Sequence, residues 1–144
     1  MTDLGDNLAV WHGASESVEG VPAIRAEHVQ AWRDWLSANS YTVPEIWLII
    51  HDRGAGTPSV GFHDAIEHAL CFGWVDSRAV RRDHDSVYVA FAPRHPSTVW
   101  GPASRRRAER MIEAGLMRPP GQHLIDQARA AGTWEAPKDA RARS

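Results

Sequence analysis

Apolar residues along this chain recur with two different periods, and the points where the period changes mark the elements. Between Arg25 and Asn39, Val29, Trp32 and Leu36 recur at spacings of three and four, and Trp35 widens the stripe. That spacing predicts an amphipathic helix, because residues three and four apart share one helical face. Ile46, Trp47, Leu48, Ile49 and Ile50 form an unbroken apolar run, short enough for a strand buried on both faces. Gly54, Gly56 and Pro58 then predict a loop. The clearest helical rhythm follows: Phe62, Ala65, Ile66, Ala69 and Leu70 fall on one stripe of a helix starting at Ser59 or Gly61.

From Trp74 to Arg82 the pattern becomes strand-like, and Asp83-His84-Asp85-Ser86 predicts a turn. Val87, Val89 and Phe91 alternate with Tyr88, Ala90 and Ala92, as in the returning arm of a hairpin. Pro93, Pro96 and Pro102 keep the next segment irregular. A helix carrying Ala108, Met111 and Ile112 is expected to start at an N-cap Ser104 and stop at Gly115. A last helix holds Leu124, Ile125 and Ala128 and ends at Gly132, and Leu8 to Trp11 reads as a short first strand. The order β-α-β-α-β-β-α-α predicts an α+β fold: one domain, a mainly antiparallel sheet with a central β-hairpin, and about four helices packed on it. The domain is expected to span residues 1–136, with 137–144 as a flexible C-terminal tail.

Composition narrows the function classes. The chain has 144 residues, 43% of them hydrophobic and 24% charged, in the range of one ordinary globular domain. No apolar run reaches the roughly 20 residues that cross a bilayer. The acidic, polar start from Met1 to Asn7 does not resemble a secretory signal, so a cytoplasmic location without a membrane partner is expected. A single cysteine excludes an internal disulfide and any multi-thiolate zinc site. The eight histidines show no His-Glu-x-x-His spacing, so neither metal nor cofactor is expected. Glycine-rich phosphate loops and the Gly-x-Ser-x-Gly elbow are also missing.

Charge is unevenly spread. Residues 1–52 hold eight acids and two arginines, whereas residues 78–118 hold nine arginines and four acids. Nucleic-acid binding through 78–118 is the third functional reading, weakened by the net charge of −2 and the absence of a recognised basic motif. Arg105, Arg106, Arg107 and Arg110 open a predicted helix, where cations oppose the helix dipole and call for a compensating anion or a solvated face.

The candidate chemistry gathers at the junction Ala69 to Asp76, Ala-Leu-Cys-Phe-Gly-Trp-Val-Asp. His63, Glu67 and Cys71 form a column at spacings of four, and His68 is three residues before the thiol. A histidine there could activate Cys71 as a nucleophile, although its apolar neighbours Leu70 and Phe72 favour a buried, inert thiol. Asp76 shares a strand face with Trp74 and could act as a base or pair with Arg78 or Arg94. Arg94, flanked by Pro93 and Pro96, suits anion binding and equally suits an ordered turn. Trp74, Trp100 and Trp134 fall at element ends, where pocket walls commonly lie.

With the 69–76 segment, Phe91-Ala92-Pro93-Arg94, Ser97-Thr98-Val99-Trp100 and the run Ala108 to Met117 in this order, the chain resembles the YdeI/OmpD-associated family. These are small bacterial proteins often labelled bacteriocin-protection proteins. The resemblance extends over nearly all of residues 8–136 and points to Cys71, Gly73, Trp74, Asp76, Phe91, Pro93, Arg94, Ser97 and Trp100 as its recurring positions. The resemblance implies protection against antimicrobial agents or envelope stress, with no catalytic mechanism attached. The chain departs from the family pattern at His51-Asp52, Ser77-Arg78 and Trp100-Gly101-Pro102-Ala103-Ser104.

The favoured expectation is a cytoplasmic protection or self-resistance protein. Its small-molecule ligand would sit between Trp74, Phe91 and Trp100, with Asp76, Arg94, Ser97 and His68 as polar anchors. The alternative is a small enzyme on a reactive metabolite, with Cys71 as nucleophile or Asp76 as base and Arg94 stabilising negative charge. A homodimer is one arrangement the chain allows.

Overall fold

A computed structural model describes residues 16–135. The expected strand at Leu8–Trp11 and the expected tail at 137–144 lie outside the described residues. The elements are β1 (Glu16–Val18), β2 (Val21–Arg25), α1 (Val29–Asn39), β3 (Ile46–His51), α2 (Phe62–Leu70), β4 (Trp74–Asp83), β5 (Ser86–Pro93), α3 (Pro102–Glu113) and α4 (Pro119–Ala131). The strands form one sheet in the order β1-β2-β3-β5-β4. Among the described residues only β2 and β3 run parallel, and the other neighbouring pairs are antiparallel. The fold is α+β, with β4–β5 as its long hairpin.

Sequence periodicity misses the β1–β2 hairpin. Its strands have three and five residues, and Pro22 removes a ladder donor from the second. The turn is made by Glu19 at φ 54° and Gly20 at φ 81°, the left-handed pair that lets two antiparallel strands close through two residues. The first helix begins later than the pattern predicts. His28 caps it, with Nδ1 accepting from the Ala31 amide at 3.2 Å. The α3 boundary also differs: Gly101 is the N-cap and Pro102 the first helical residue, so Ser104, three positions after the cap, lies within the first turn. Proline suits that first position because its missing N–H would have no helical partner.

Strand pleating divides the apolar residues of the sheet. Ile46, Leu48, Ile50, Val89 and Phe91 face the helices and join Trp32, Leu36, Ala65, Ala69 and Trp74 in the main core. Trp47, Ile49, Ala23 and Ala90 occupy the opposite face, with Tyr88 against them. This explains why β3 reads as an unbroken apolar run: both faces are buried. A further cluster, Leu70, Trp100, Ala108, Ile125, Ala128 and Trp134, fastens α3 and α4 beside the end of α2.

Two glycines make the junction after α2. Gly73 has φ 80° and bends the chain from helix into β4. Gly121, inside α4, lies so close to α2 that an added Cβ would stand 2.6 Å from the carbonyl oxygens of Leu70 and Cys71. Only glycine lets these backbones approach.

Candidate functional site

The junction residues are ordered by packing. Cys71 is fully buried, and its Sγ–H donates to the Glu67 carbonyl at 3.5 Å. Burial pushes the thiol above its ordinary value, against the opposing influence of Arg33, so it carries little thiolate. The inert alternative is the one this placement favours. The column His63-Glu67-Cys71 does not act as a unit either: Glu67 pairs with Arg110. That pair supplies one of the carboxylates called for by the arginines of α3. Arg105 instead donates to the carbonyls of Trp100 at 2.9 Å and Trp134 at 3.0 Å.

His68 engages Arg33 rather than the thiol. Arg33 Nη1 lies 2.9 Å from His68 Nδ1, while Nη2 donates to the Leu116 carbonyl at 2.8 Å. A guanidinium only donates, so Nδ1 holds the lone pair. Burial first, then the Arg33 charge, lower the His68 pKa. Nothing in the periodicity marks Arg33 as buried, because it follows Trp32 and sits at the margin of the apolar stripe. It is 5% exposed, with its guanidinium 5.1 Å from the Phe72 ring centroid and bonded to His68 and to the Leu116 carbonyl in the α3–α4 connection.

The expected aromatic pocket resolves into packing. Trp74 and Phe91 belong to the main core at 1% and 0% exposure, while Trp100 lies in the neighbouring cluster against Trp134, ring centroids 5.0 Å apart. The Trp74 indole donates to the Ser40 carbonyl at 3.2 Å. Asp76 is exposed on the edge strand opposite Phe91, next to an irregularity in the β4–β5 register between Asp76 and Ala79. Among the described residues it makes no ion pair; Arg78 pairs with Glu19 at 2.7 Å instead. The chain does bring Arg94 and Trp100 together: the guanidinium lies 4.0 Å from the indole centroid and donates to the Val99 carbonyl at 3.2 Å. Ser97 is exposed in the same loop. The eight proposed residues therefore occupy a core, an edge strand and a loop rather than the walls of one hollow. The physical reason is that large aromatic groups at element ends here fill gaps between elements, which removes them from water.

A cleft of about 780 Å3 lies elsewhere, outside the carboxyl end of β3, and its lining includes His51, Asp52, Arg53, Ser59, His63 and Asp64. The 52–61 loop that forms it is pinned at both ends. The Asp52 amide donates to the Asp85 carbonyl at 2.8 Å, and the Val60 amide donates to the Ala26 carbonyl at 2.9 Å. Gly54 and Gly56, both at φ 87°, carry the bends between. The Ser59 hydroxyl accepts the His51 amide at 3.0 Å, and Arg81 lies 3.6 Å from Asp52. Helix α2 enters the cleft through Gly61, which has no side chain to cap the first-turn amides. A crevice beyond the carboxyl end of a strand, beside a parallel neighbour, is a common ligand position in sheets flanked by helices. The sequence signal was present in His51-Asp52 and the glycine-rich loop, but a loop pattern alone does not show which side chains converge.

Among the described residues no helix is long and apolar enough to cross a membrane. Residues 24–124 match the family described as Domain of unknown function (DUF8412), and the chain belongs to that family. No curated protein and no solved structure matches it.

Proposed function

We propose that this protein binds a small molecule bearing an acidic group in the cleft between β3 and α2. The observation that carries this reading is the convergence, around about 780 Å3, of Arg53, His51 and His63 with the uncapped start of α2. That volume falls within the roughly 300–1,000 Å3 of small-molecule sites. Uncapped amides at a helix start favour an anion, and an arginine fork adds a charge-assisted pair. Asp52 is engaged by Arg81, which limits its repulsion of an acidic ligand.

Sequestering such a molecule is the chemistry a protective protein needs. Support for protection is the resemblance to the YdeI/OmpD-associated family, and support for binding is the cleft. The enzyme reading built on Cys71 and Asp76 gains nothing from a buried thiol and a lone surface carboxylate. The nucleic-acid reading is weakened because Arg78, Arg81, Arg82 and Arg110 are engaged by carboxylates and Arg94 is buried.

Titration with a panel of small carboxylates and phosphates, followed by backbone amide NMR shifts, tests the reading. Saturable shifts confined to residues 51–64, weakened about tenfold or more by Arg53→Ala, are expected. A panel that leaves those amides unmoved, or shifts unaffected by Arg53→Ala, would overturn it.

A further inference from the structure

We propose that Ser97 and His95 form a nucleophilic pair that accepts an acyl group from a small activated ester. Ser97 Oγ lies 2.7 Å from His95 Nδ1, and the Ser97 amide donates to the same nitrogen at 3.2 Å. An amide can only donate, so Nδ1 holds the lone pair and the ring proton sits on Nε2. The serine hydroxyl therefore directs its own proton at a base, the arrangement that activates a weak nucleophile.

The surrounding loop holds this geometry. Pro93 and Pro96 restrict the backbone on either side. Arg94, 9% exposed, is anchored over Trp100 and through its amide to the Gly73 carbonyl at 2.8 Å. The Thr98 amide closes a turn onto the His95 carbonyl at 3.1 Å. Ser97 also borders a shallow, open depression on the surface, shared with Pro96, Gln127, Ala130 and Ala131. Its small apolar residues suit a short acyl chain. Gln127 at the same depression carries an amide, a group of the kind that stabilises an oxyanion.

The step balances within these groups. Ser97 Oγ bonds to the ester carbonyl carbon as its proton passes to His95 Nδ1. The carbon–oxygen bond to the leaving group then breaks, and His95 returns the proton to that oxygen. For turnover, water attacks the acyl carbon while His95 takes its proton. The acyl–Oγ bond breaks and Ser97 is reprotonated. This site uses α4 and the 94–100 loop, and none of its residues lines the β3–α2 cleft.

The test is reaction of the full chain with p-nitrophenyl acetate, read by intact mass and peptide mapping. A single added acetyl group on Ser97 is expected, absent in Ser97→Ala and retained in Thr98→Ala, with far-UV circular dichroism confirming the fold of each variant. His95→Ala should slow acetylation by about a hundredfold. Acetylation that bypasses Ser97, or that proceeds at an unchanged rate in His95→Ala, would overturn the proposal.

Discussion

Arg33 and His68 form a buried pair across α1 and α2, Nη1 to Nδ1 at 2.9 Å, with no carboxylate among the described residues within ion-pair distance of the guanidinium. The imidazole must stay neutral to accept this bond. Protonation would place two cations together where water is scarce.

That pairing sets a pH dependence. The folded His68 pKa lies below its ordinary 6.5, so between the two values the unfolded chain binds the additional proton. Stability from this group is therefore complete above about pH 6.5 and falls as pH drops toward the folded value. In His68→Gln the side-chain oxygen can still accept from Arg33 but cannot titrate. Thermal unfolding between pH 7.5 and 5.5 should show a declining Tm for the native chain and a flatter profile for the variant. Parallel profiles would refute it.

Glu16 acts in the same direction over a lower pH range. It accepts from Arg82 Nε at 3.0 Å, Arg82 Nη2 at 2.7 Å and Tyr88 Oη at 2.6 Å. The Arg82 bonds, then the Tyr88 bond, bring its pKa down to about 2 from 4.5. Its contribution is present above about pH 4.5 and is lost as pH falls toward 2. Because the side chain is 26% exposed, solvent screening limits the effect. Glu16→Gln should cost about 1 kcal/mol at pH 7 by urea unfolding, and the gap should narrow in acid.

Cys71 should be silent toward Ellman's reagent in the native chain. With the thiol fully buried and its pKa raised, labelling is expected only as fast as local or global opening exposes it. The rate should climb with urea. Rapid stoichiometric labelling in buffer would contradict the placement.

Gly121→Ala should destabilise strongly, by about 3 kcal/mol, because the new methyl meets backbone carbonyls at 2.6 Å that cannot rotate away. Gly61→Ala meets nothing within 4 Å and should stay within about 0.5 kcal/mol. Chemical denaturation of both variants separates a packing constraint from a general cost of losing glycine.

Gly61→Ser probes the cleft from another side. At φ −80° and ψ 162° the position has N-cap geometry, so a serine hydroxyl can take a first-turn amide. Stability should rise by a few tenths of a kcal/mol. Affinity for an acidic ligand should fall, because cap and ligand compete for the same donors. Calorimetry showing unchanged affinity would place the ligand away from α2.

Local pattern determined a good deal of this protein: the α+β class, the run of β3, the hairpin turn at His84–Asp85, and the glycine stops of α3 and α4. Those features follow from periodicity and from residues whose backbone preferences are local. Tertiary structure alone decided the rest. Pairing with β3 is what turns the short Val21–Arg25 segment into β2, although Pro22 weakens its own signal. Arg33 is enclosed by His68, the Phe72 ring and the Leu116 carbonyl, all far from it in the chain. Trp74 and Trp100, equivalent as aromatic residues at element ends, enter two different clusters because different helices reach them. Burial and convergence of side chains depend on contacts between segments far apart in the chain, and spacing along one segment carries no record of them.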